Sequence, residues 1–234
     1  MMISGETLKI IGHRGWPTRF PDNVIAGIEA ATKVADMIEV DVRQAADGTL
    51  VLSHDPQLNG LEVHTSTWAQ LADLDLGGGH LPLTLETLLS TFPGFPFNLE
   101  IKNYPGDPGF DQNHGLAYLV ADRARPEDVL TCFYWPTVDA LRISHPGVHT
   151  GLLIDMGGSI GDAVQHAVEL GHEVVVPHWQ IARSDPMAVD EAREAGLDVT
   201  VWTVNDPEMA RDLAAIGVTA IITDDPGLMS QALR

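Results

Sequence analysis

The stretch EVDVRQAADGTLVLSHD, residues 39–55, decides how the strands of this protein are counted. The apolar run MIEVDV ends at residue 42 and the run LVLSH begins at residue 50, so seven residues separate them. A parallel crossover needs a dozen or more residues. Asp47-Gly48 is a typical hairpin turn dipeptide. The second run is therefore predicted to return antiparallel beside the first.

Seven further runs of strand type lie along the chain, most of them separated by helical patterns such as DNVIAGIEAATKVA and GDAVQHAVELG. Alternation of strands and helices predicts parallel strands with crossover helices. Without the hairpin strand, eight parallel strands remain. We predict an α/β fold, a distorted TIM-type (β/α)8 barrel with an added antiparallel hairpin strand after the second barrel strand. The alternative is a doubly wound open sheet. Residues 1–234 are predicted to form a single domain with an irregular insertion at about 56–83.

The composition excludes several classes of partner. Lys and Arg number 13 against 33 Asp and Glu, which gives a net charge of −20. This charge repels nucleic acid and anionic membranes, so an anionic substrate needs a local positive pocket. The single cysteine, Cys132, excludes an internal disulfide and a Cys-rich zinc site. The start MMISGETLKIIG lacks signal-peptide features, and no stretch reaches about 18 apolar residues. We expect a cytoplasmic protein without a stable membrane anchor.

Polar residues end four of the predicted strands. In a barrel these strand ends share one mouth, where active sites lie. Residues two apart on a strand point to the same face, as in Glu39 with Asp41 and Glu100 with Lys102. The residues expected around the mouth are His13, Arg14, Glu39, Asp41, His54, Glu100 and Lys102.

Three of these residues, Glu39, Asp41 and Glu100, are carboxylates that would repel one another. Two like charges about 4 Å apart cost roughly 4 kcal/mol at an effective dielectric constant near 20. One divalent cation, Mg²⁺ or Ca²⁺, would remove this cost, because carboxylate oxygens are hard ligands. The alternative is an internal ion pair between Glu39 and Lys102, with the other carboxylates solvated.

His13 and His54 have the ionisation range that suits a general acid and a general base near neutral pH. The rival interpretation is zinc bound through these two imidazoles. Their strand-end positions set them apart from histidines that we interpret as structural, which are His64, His80, His114, His145, His149, His166 and His172.

The motifs HRG, PDN, EVDV, DG, HD, EIK, WTVN and ITDDP follow one another between Ile11 and Pro226. This ordered set closely resembles the glycerophosphodiester phosphodiesterase family. The resemblance implies a distorted TIM barrel that hydrolyses glycerophosphodiesters to glycerol 3-phosphate and an alcohol, using a bound divalent cation. Its small-molecule substrate would be a glycerophosphodiester. The sequence leaves the oligomeric state open.

The resemblance also implies roles for individual residues. It implies that His13 and His54 are the acid and base, that Arg14 and Lys102 bind phosphate, and that Trp202 lines the glycerol site. The implied metal ligands are Glu39, Asp41 and Glu100. A guanidinium can bind two phosphate oxygens at once, which accounts for Arg14 in so acidic a chain. For Trp202 a buried position in its strand is the alternative.

The chain departs from the family pattern at two places. The usual Pro-Glu-Asn-Thr is Pro21-Asp22-Asn23-Val24 here, and the usual Thr-x-Asp-Gly is 45–48, Ala-Ala-Asp-Gly. Neither change touches a proposed ligand, although a role of Asp22 in the first loop would alter the fit of the substrate. Two other functions stay open at this point. One is a lysophospholipid phosphodiesterase, and the other is a non-catalytic phosphate or metabolite binder on the same barrel.

Overall fold

The computed structural model describes residues 7–234. Its main sheet contains eight parallel strands and one antiparallel strand. The parallel strands are β1 (Lys9–His13), β2 (Met37–Gln44), β6 (Phe97–Ile101), β7 (Val129–Cys132), β8 (His149–Ile154), β9 (Val174–Pro177), β10 (Asp198–Val201) and β11 (Ala220–Thr223). They pair in chain order, and β1 pairs with both β2 and β11, so the sheet closes on itself. The predicted barrel is confirmed, and the open sheet is excluded.

The hairpin predicted from the quoted stretch is present. Strand β3 (Leu50–Leu52) runs antiparallel to the end of β2, with Val42 opposite Leu52 and Gln44 opposite Leu50. The backbone N–H of Ser53 then donates to the carbonyl of Asp41 at 3.0 Å. This bond holds Ser53 beside the carboxyl end of β2, and His54 is the next residue in the chain.

Ten helices accompany the strands in the described part of the chain. They are α1 (Ile25–Ala31), α2 (Trp68–Leu71), α3 (Leu85–Thr91), α4 (Gly115–Ala121), α5 (Trp135–Ser144), α6 (Ile160–Leu170), α7 (Trp179–Ser184), α8 (Pro186–Glu194), α9 (Pro207–Ala215) and α10 (Pro226–Leu233). Side-chain caps begin several of them; Ser159 accepts from the N–H of Asp162, and Asp206 accepts from that of Glu208. None of these helices has the length and apolar character needed to cross a lipid bilayer.

The segment 56–83, expected to be irregular, contains short elements. A small hairpin joins β4 (Gln57–Leu58) and β5 (Leu61–Glu62), and a 3₁₀ turn, Val63–Thr65, leads towards α2. Buried Leu58, Val63 and Leu71 form a separate apolar cluster with two residues of the β2–β3 hairpin. This cluster packs the segment against the hairpin that supplies His54.

Alternation along the strands separates the outer core from the barrel interior. On β2, Ile38, Val40 and Val42 are fully buried in the core cluster shared with the helices, whereas Glu39 and Asp41 point inwards. Strand β6 repeats the pattern, with Leu99 outside. A second apolar cluster fills the interior with Ile11, Leu153, Val174, Val176, Ala220 and Ile222. Polar side chains therefore face inwards where this apolar filling stops.

Replacement of Gly48 by Ala is expected to lower the free energy of unfolding by about 1–2 kcal/mol, the usual cost of left-handed backbone for a residue with a Cβ. Gly48 has φ 87°, and an added Cβ would meet only Gln44 Nε2 at 3.9 Å, so the cost is conformational. Urea unfolding at an unchanged m-value measures it. The control is Gly147→Ala, in open space and outside the left-handed region. Equal stability of both variants would contradict the turn assignment.

Candidate active site

A cavity of about 120 Å³ opens at the mouth of the barrel. Seven of the eight site residues predicted from the sequence line it, namely His13, Arg14, Glu39, His54, Glu100, Lys102 and Trp202. The eighth, Asp41, is buried beside them, with Oδ1 3.0 Å from Lys102 Nζ. The fold thus brings all eight residues together, although they come from five different strands or the loops that follow them.

The three carboxylates lie within reach of one ion. One oxygen each of Glu39, Asp41 and Glu100 can be chosen so that all lie within 4.8 Å of one another. Pairing of β2 with β6 sets this arrangement, because Asp41 lies opposite Glu100 in the register. Lys102 Nζ donates to Glu100 Oε1 at 2.6 Å and lies close to Asp41. The ion pairs of Lys102 are therefore with these two carboxylates, whereas Glu39 Oε2 accepts from the backbone N–H of Arg14.

The environments of Glu39 and Asp41 push their ionisation in opposite directions. Burial raises the pKa of Glu39, and the charges of Asp41 and Glu100 raise it further. Burial also acts to raise the pKa of Asp41, but the charges of Lys102 and Arg14 outweigh it and hold this pKa at about 2. One oxygen of Glu39, Oε1, is buried without a hydrogen-bond partner. An all-oxygen donor set with an unpaired buried oxygen fits a hard divalent cation.

Arg14 is held by protein carboxylates as well as facing the cavity. Its Nη1 donates to Asp22 Oδ2 at 2.7 Å, and its Nε lies 3.3 Å from Asp41 Oδ2. The backbone of Arg14 is left-handed, with φ 52°. This conformation lets its N–H point at Glu39 Oε2, 3.1 Å away. Asp22, the residue that departs from the family pattern, is therefore a direct partner of Arg14.

His13 is oriented by a chain of polar contacts from the last barrel strand. Its Nδ1 lies 2.6 Å from Asp224 Oδ1, and Asn205 Nδ2 donates to Asp224 Oδ2 at 2.6 Å. Burial acts to raise the pKa of Asp224, but the hydrogen bonds from His13 and Asn205 outweigh it and lower this pKa. An ionised Asp224 accepts the Nδ1 proton, which leaves Nε2, 3.9 Å from Glu39 Oε2, directed to the cavity.

His54 is more exposed, and its backbone is the part that is held. The Nε and Nη2 atoms of Arg43 both donate to the His54 carbonyl, at 3.1 and 2.7 Å. The Nη1 of the same buried guanidinium donates to Asp107 Oδ2 at 2.7 Å. The imidazole Nδ1 of His54 lies 2.8 Å from Asp55 Oδ1. Arg43 therefore ties the hairpin strand to the loop after β6.

Reasoning from the sequence missed the residues that support the predicted ones. Asn23, at φ 57°, donates through Nδ2 to Asp41 Oδ2 at 2.9 Å. Asn205 and Asp224 position His13, and Arg43 positions His54. Three of these four lie inside the fragments PDN, WTVN and ITDDP, so the signal was present. Their roles depend on contacts between residues far apart in the chain, which no spacing records.

A larger cavity of about 410 Å³ shares Lys102 with the mouth. Arg43, His64 and Asp111 are among its lining residues, and they come from the hairpin strand pair, the 56–83 segment and the loop after β6. Lys102 therefore borders both cavities.

Comparison with known proteins adds an independent line of evidence. A sequence model of the "Glycerophosphoryl diester phosphodiesterase family" matches residues 13–228. The glycerophosphodiester phosphodiesterase of Caldanaerobacter subterraneus is 27% identical, over 96% of this chain and 97% of its own. A Mycobacterium tuberculosis protein named "Probable glycerophosphodiester phosphodiesterase 1" is 30% identical, over 93% and 89%. The crystal structure of a glycerophosphodiester phosphodiesterase from Parabacteroides distasonis is 26% identical and superposes with a TM-score of 0.84, covering 98% of both chains.

Replacement of Glu39 by Gln is expected to raise the melting temperature of the protein at pH 7 in the presence of a chelator. A pKa raised on folding gives stability that is complete below the ordinary glutamate pKa and is lost as the pH rises through the raised pKa. Gln keeps an acceptor for the N–H of Arg14 but does not ionise. The melting temperatures of the variant and the parent are compared from about pH 4 to about pH 8, a range that begins near the ordinary glutamate pKa.

The difference should vanish at the acid end and grow as the pH rises. The matched control is Glu29→Gln, because the side chain of Glu29 is exposed and its Oε1 lies 3.5 Å from Nζ of Lys33, just beyond the end of α1. A Glu39→Gln variant less stable than the parent at every pH would show that the carboxylate is stabilising in this site.

Proposed function

The chain belongs to the glycerophosphoryl diester phosphodiesterase family and is a phosphoric diester hydrolase, and from this premise we propose that it cleaves glycerophosphodiesters to glycerol 3-phosphate and an alcohol with one divalent cation bound. The observation that carries the proposal is the buried cluster of Glu39, Asp41 and Glu100. The cavity beside it is also lined by two positively charged side chains and two imidazoles. An acidic protein gains an anion site only where such local charges are arranged.

The cation proposed for this cluster is Mg²⁺ or Ca²⁺. Glu39, Asp41 and Glu100 would hold it, and the unpaired Oε1 of Glu39 would gain a ligand bond. When bound, such an ion neutralises the carboxylates and polarises phosphoryl oxygens. Lys102 now compensates the charge of two of these carboxylates. With a bound cation compensating these carboxylates, the ammonium of Lys102 would be available to bind the phosphate.

Two histidines would move the protons. His13 offers Nε2 to the cavity, because Asp224 holds the proton on Nδ1. His54 lines the same cavity, two residues after the return strand β3 of the hairpin. One imidazole takes a proton from the attacking group and the other gives one to the departing alcohol, a pairing suited to neutral pH.

The remaining wall of the mouth would bind the substrate. Arg14 lines the cavity with its guanidinium already fixed by Asp22, which removes rotamer freedom that binding would otherwise cost. Trp202 packs against Phe133 at 5.3 Å between ring centroids and donates its indole N–H to the carbonyl of Val176. This rigid aromatic face suits the carbon skeleton of glycerol. The alcohol part would extend past Lys102 into the larger cavity.

Chelation is expected to abolish turnover, and Mg²⁺ or Ca²⁺ is expected to restore it. Each substrate of a panel of glycerophosphodiesters and lysophospholipids is cleaved before and after metal removal, and a coupled phosphatase releases phosphate from the phosphomonoester product for measurement. Turnover of the glycerophosphodiesters in the restored enzyme supports the proposal, whereas turnover restricted to lysophospholipids assigns a lipid substrate. Full activity in a preparation verified to be free of metal excludes the cation. Restoration by Zn²⁺ alone favours binding through the histidines.

Replacement of either His13 or His54 by Ala is expected to lower kcat by roughly 10²–10⁴-fold, the range for a positioned general acid or base. Binding of glycerol 3-phosphate should change less than in Arg14→Ala, because affinity depends chiefly on charge. A substrate with a nitrophenol leaving group should rescue only the variant that lacks the acid. The control is His149→Ala, since His149 begins β8 at the opposite end of the barrel and is exposed. Near-normal rates in both site variants would instead support a binding protein.

A further inference from the structure

A second cluster of metal-ligand type lies outside the mouth, among the helices that surround the barrel. It consists of Asp139 on α5, His166 on α6 and His172 in the turn before β9. The Nε2 atoms of both histidines lie 3.0 Å from the same oxygen, Oδ1 of Asp139. Both histidines were interpreted as structural from the sequence, because neither ends a strand at the mouth.

The fold makes this cluster from two consecutive strand–helix units. Helix α6 ends at Gly171, whose φ of 81° turns the chain so that the N–H of His172 donates back to the Ala167 carbonyl. The imidazole of His172 thereby lies buried under that of His166, with the rings stacked at 5.9 Å and 9°. Asp139 reaches both rings from α5.

We propose that Asp139, His166 and His172 form a binding site for Zn²⁺, with water as the fourth ligand. Zinc bonds of about 2.0–2.2 Å in a tetrahedron place neighbouring ligand atoms roughly 3.3 Å apart. The two observed separations of 3.0 Å need to open by only a few tenths of an ångström. The side chains of Asp139 and His166 are 24% and 31% exposed, so an ion can enter and keep a water ligand.

A buried hydroxyl prepares His172 for this role. Thr150 Oγ1 lies 2.8 Å from His172 Nδ1 and 3.4 Å from Glu173 Oε2. The hydroxyl can donate to the carboxylate of Glu173 and accept the proton of Nδ1. This orientation leaves the lone pair of Nε2 free and directed at the cluster. A hydrogen bond to the outer nitrogen is the usual support of a zinc-bound imidazole.

The donor set distinguishes this site from the mouth. Two imidazole nitrogens and one carboxylate suit Zn²⁺ and its neighbours in the transition series, whereas Mg²⁺ and Ca²⁺ prefer oxygen ligands alone. The mouth cluster offers three carboxylates. Zinc held outside would join α5, α6 and the entry to β9, and its effect would be on stability and not on the chemistry at the mouth.

Equilibrium dialysis of the full, chelator-treated chain against Zn²⁺, with excess Mg²⁺ present to fill the mouth, tests the proposal. We expect one zinc bound per chain in the parent and in Glu39→Gln. The His166→Ala variant should not bind this zinc ion. His166 is chosen because it is partly exposed, whereas replacement of the buried His172 would destabilise the fold. Thr150→Val, of similar shape, should weaken zinc binding about 10–100-fold.

The matched control is His145→Gln. His145 Nε2 also pairs with an aspartate, Asp122 Oδ1 at 3.2 Å, but its pair is not one of the three-ligand groups found among residues 7–234. This variant should bind zinc like the parent. Zinc binding that persists in His166→Ala and disappears in Glu39→Gln would place the metal at the mouth and overturn the proposal, as would no binding in the parent.

Fluorescence gives a readout that does not depend on activity. The ring of Trp135 lies 5.2 Å from that of His166, so Cu²⁺ or Co²⁺ bound at the cluster should quench this tryptophan. The quenching should be lost in Trp135→Phe and in His166→Ala. Zinc should also raise the melting temperature of the parent and not of His166→Ala, because a ligand stabilises the state that binds it. Equal quenching in the parent and His166→Ala would contradict the assignment.

Discussion

Three carboxylates share the mouth of this barrel, and their mutual repulsion decides what the surrounding residues must do. Lys102 and Arg14 hold Asp41 ionised, whereas burial and its two acidic neighbours keep Glu39 difficult to ionise. The protein therefore carries an electrostatic cost in the site itself. Strained or charged sites of this kind persist because the rest of the fold stabilises them. Here the outer core beneath the helices, built on residues such as Val40 and Leu99, supplies that stability.

The contacts that Asp224 and Arg43 make cross from one strand end to another. Asp224 after the last barrel strand orients His13 on the first, and Arg43 at the end of β2 holds the His54 carbonyl after β3. Closure of the barrel between β1 and β11 is what brings the first of these pairs together. The hairpin brings the second. Each proposed proton-transfer group thus depends on one topological feature, which is barrel closure for His13 and the hairpin for His54.

The two candidate metal clusters show how position in the fold selects ligand chemistry. At the mouth, β2 presents two carboxylates two residues apart and the neighbouring strand β6 presents a third, which gives an oxygen-rich site for hard cations. The outer cluster draws on two helices and a helix-ending turn, where imidazoles can stack and share one carboxylate oxygen. Its proposed zinc would strengthen the α5–α6 side of the barrel without altering the charge balance of the mouth.

The sequence by itself determined the strand count, the hairpin and the set of residues that meet at the mouth, because these follow from local spacing and from the rule that parallel strands end on one side. The tertiary structure alone decided the partners. No spacing shows that Asp22 and Asp41 hold Arg14, or that Asn205 supports the aspartate behind His13. The spacing also does not show that His166 and His172, which lie six residues apart on either side of a helix end, share Asp139. Such contacts depend on distances set by packing between elements, and a linear pattern carries information only about each element alone.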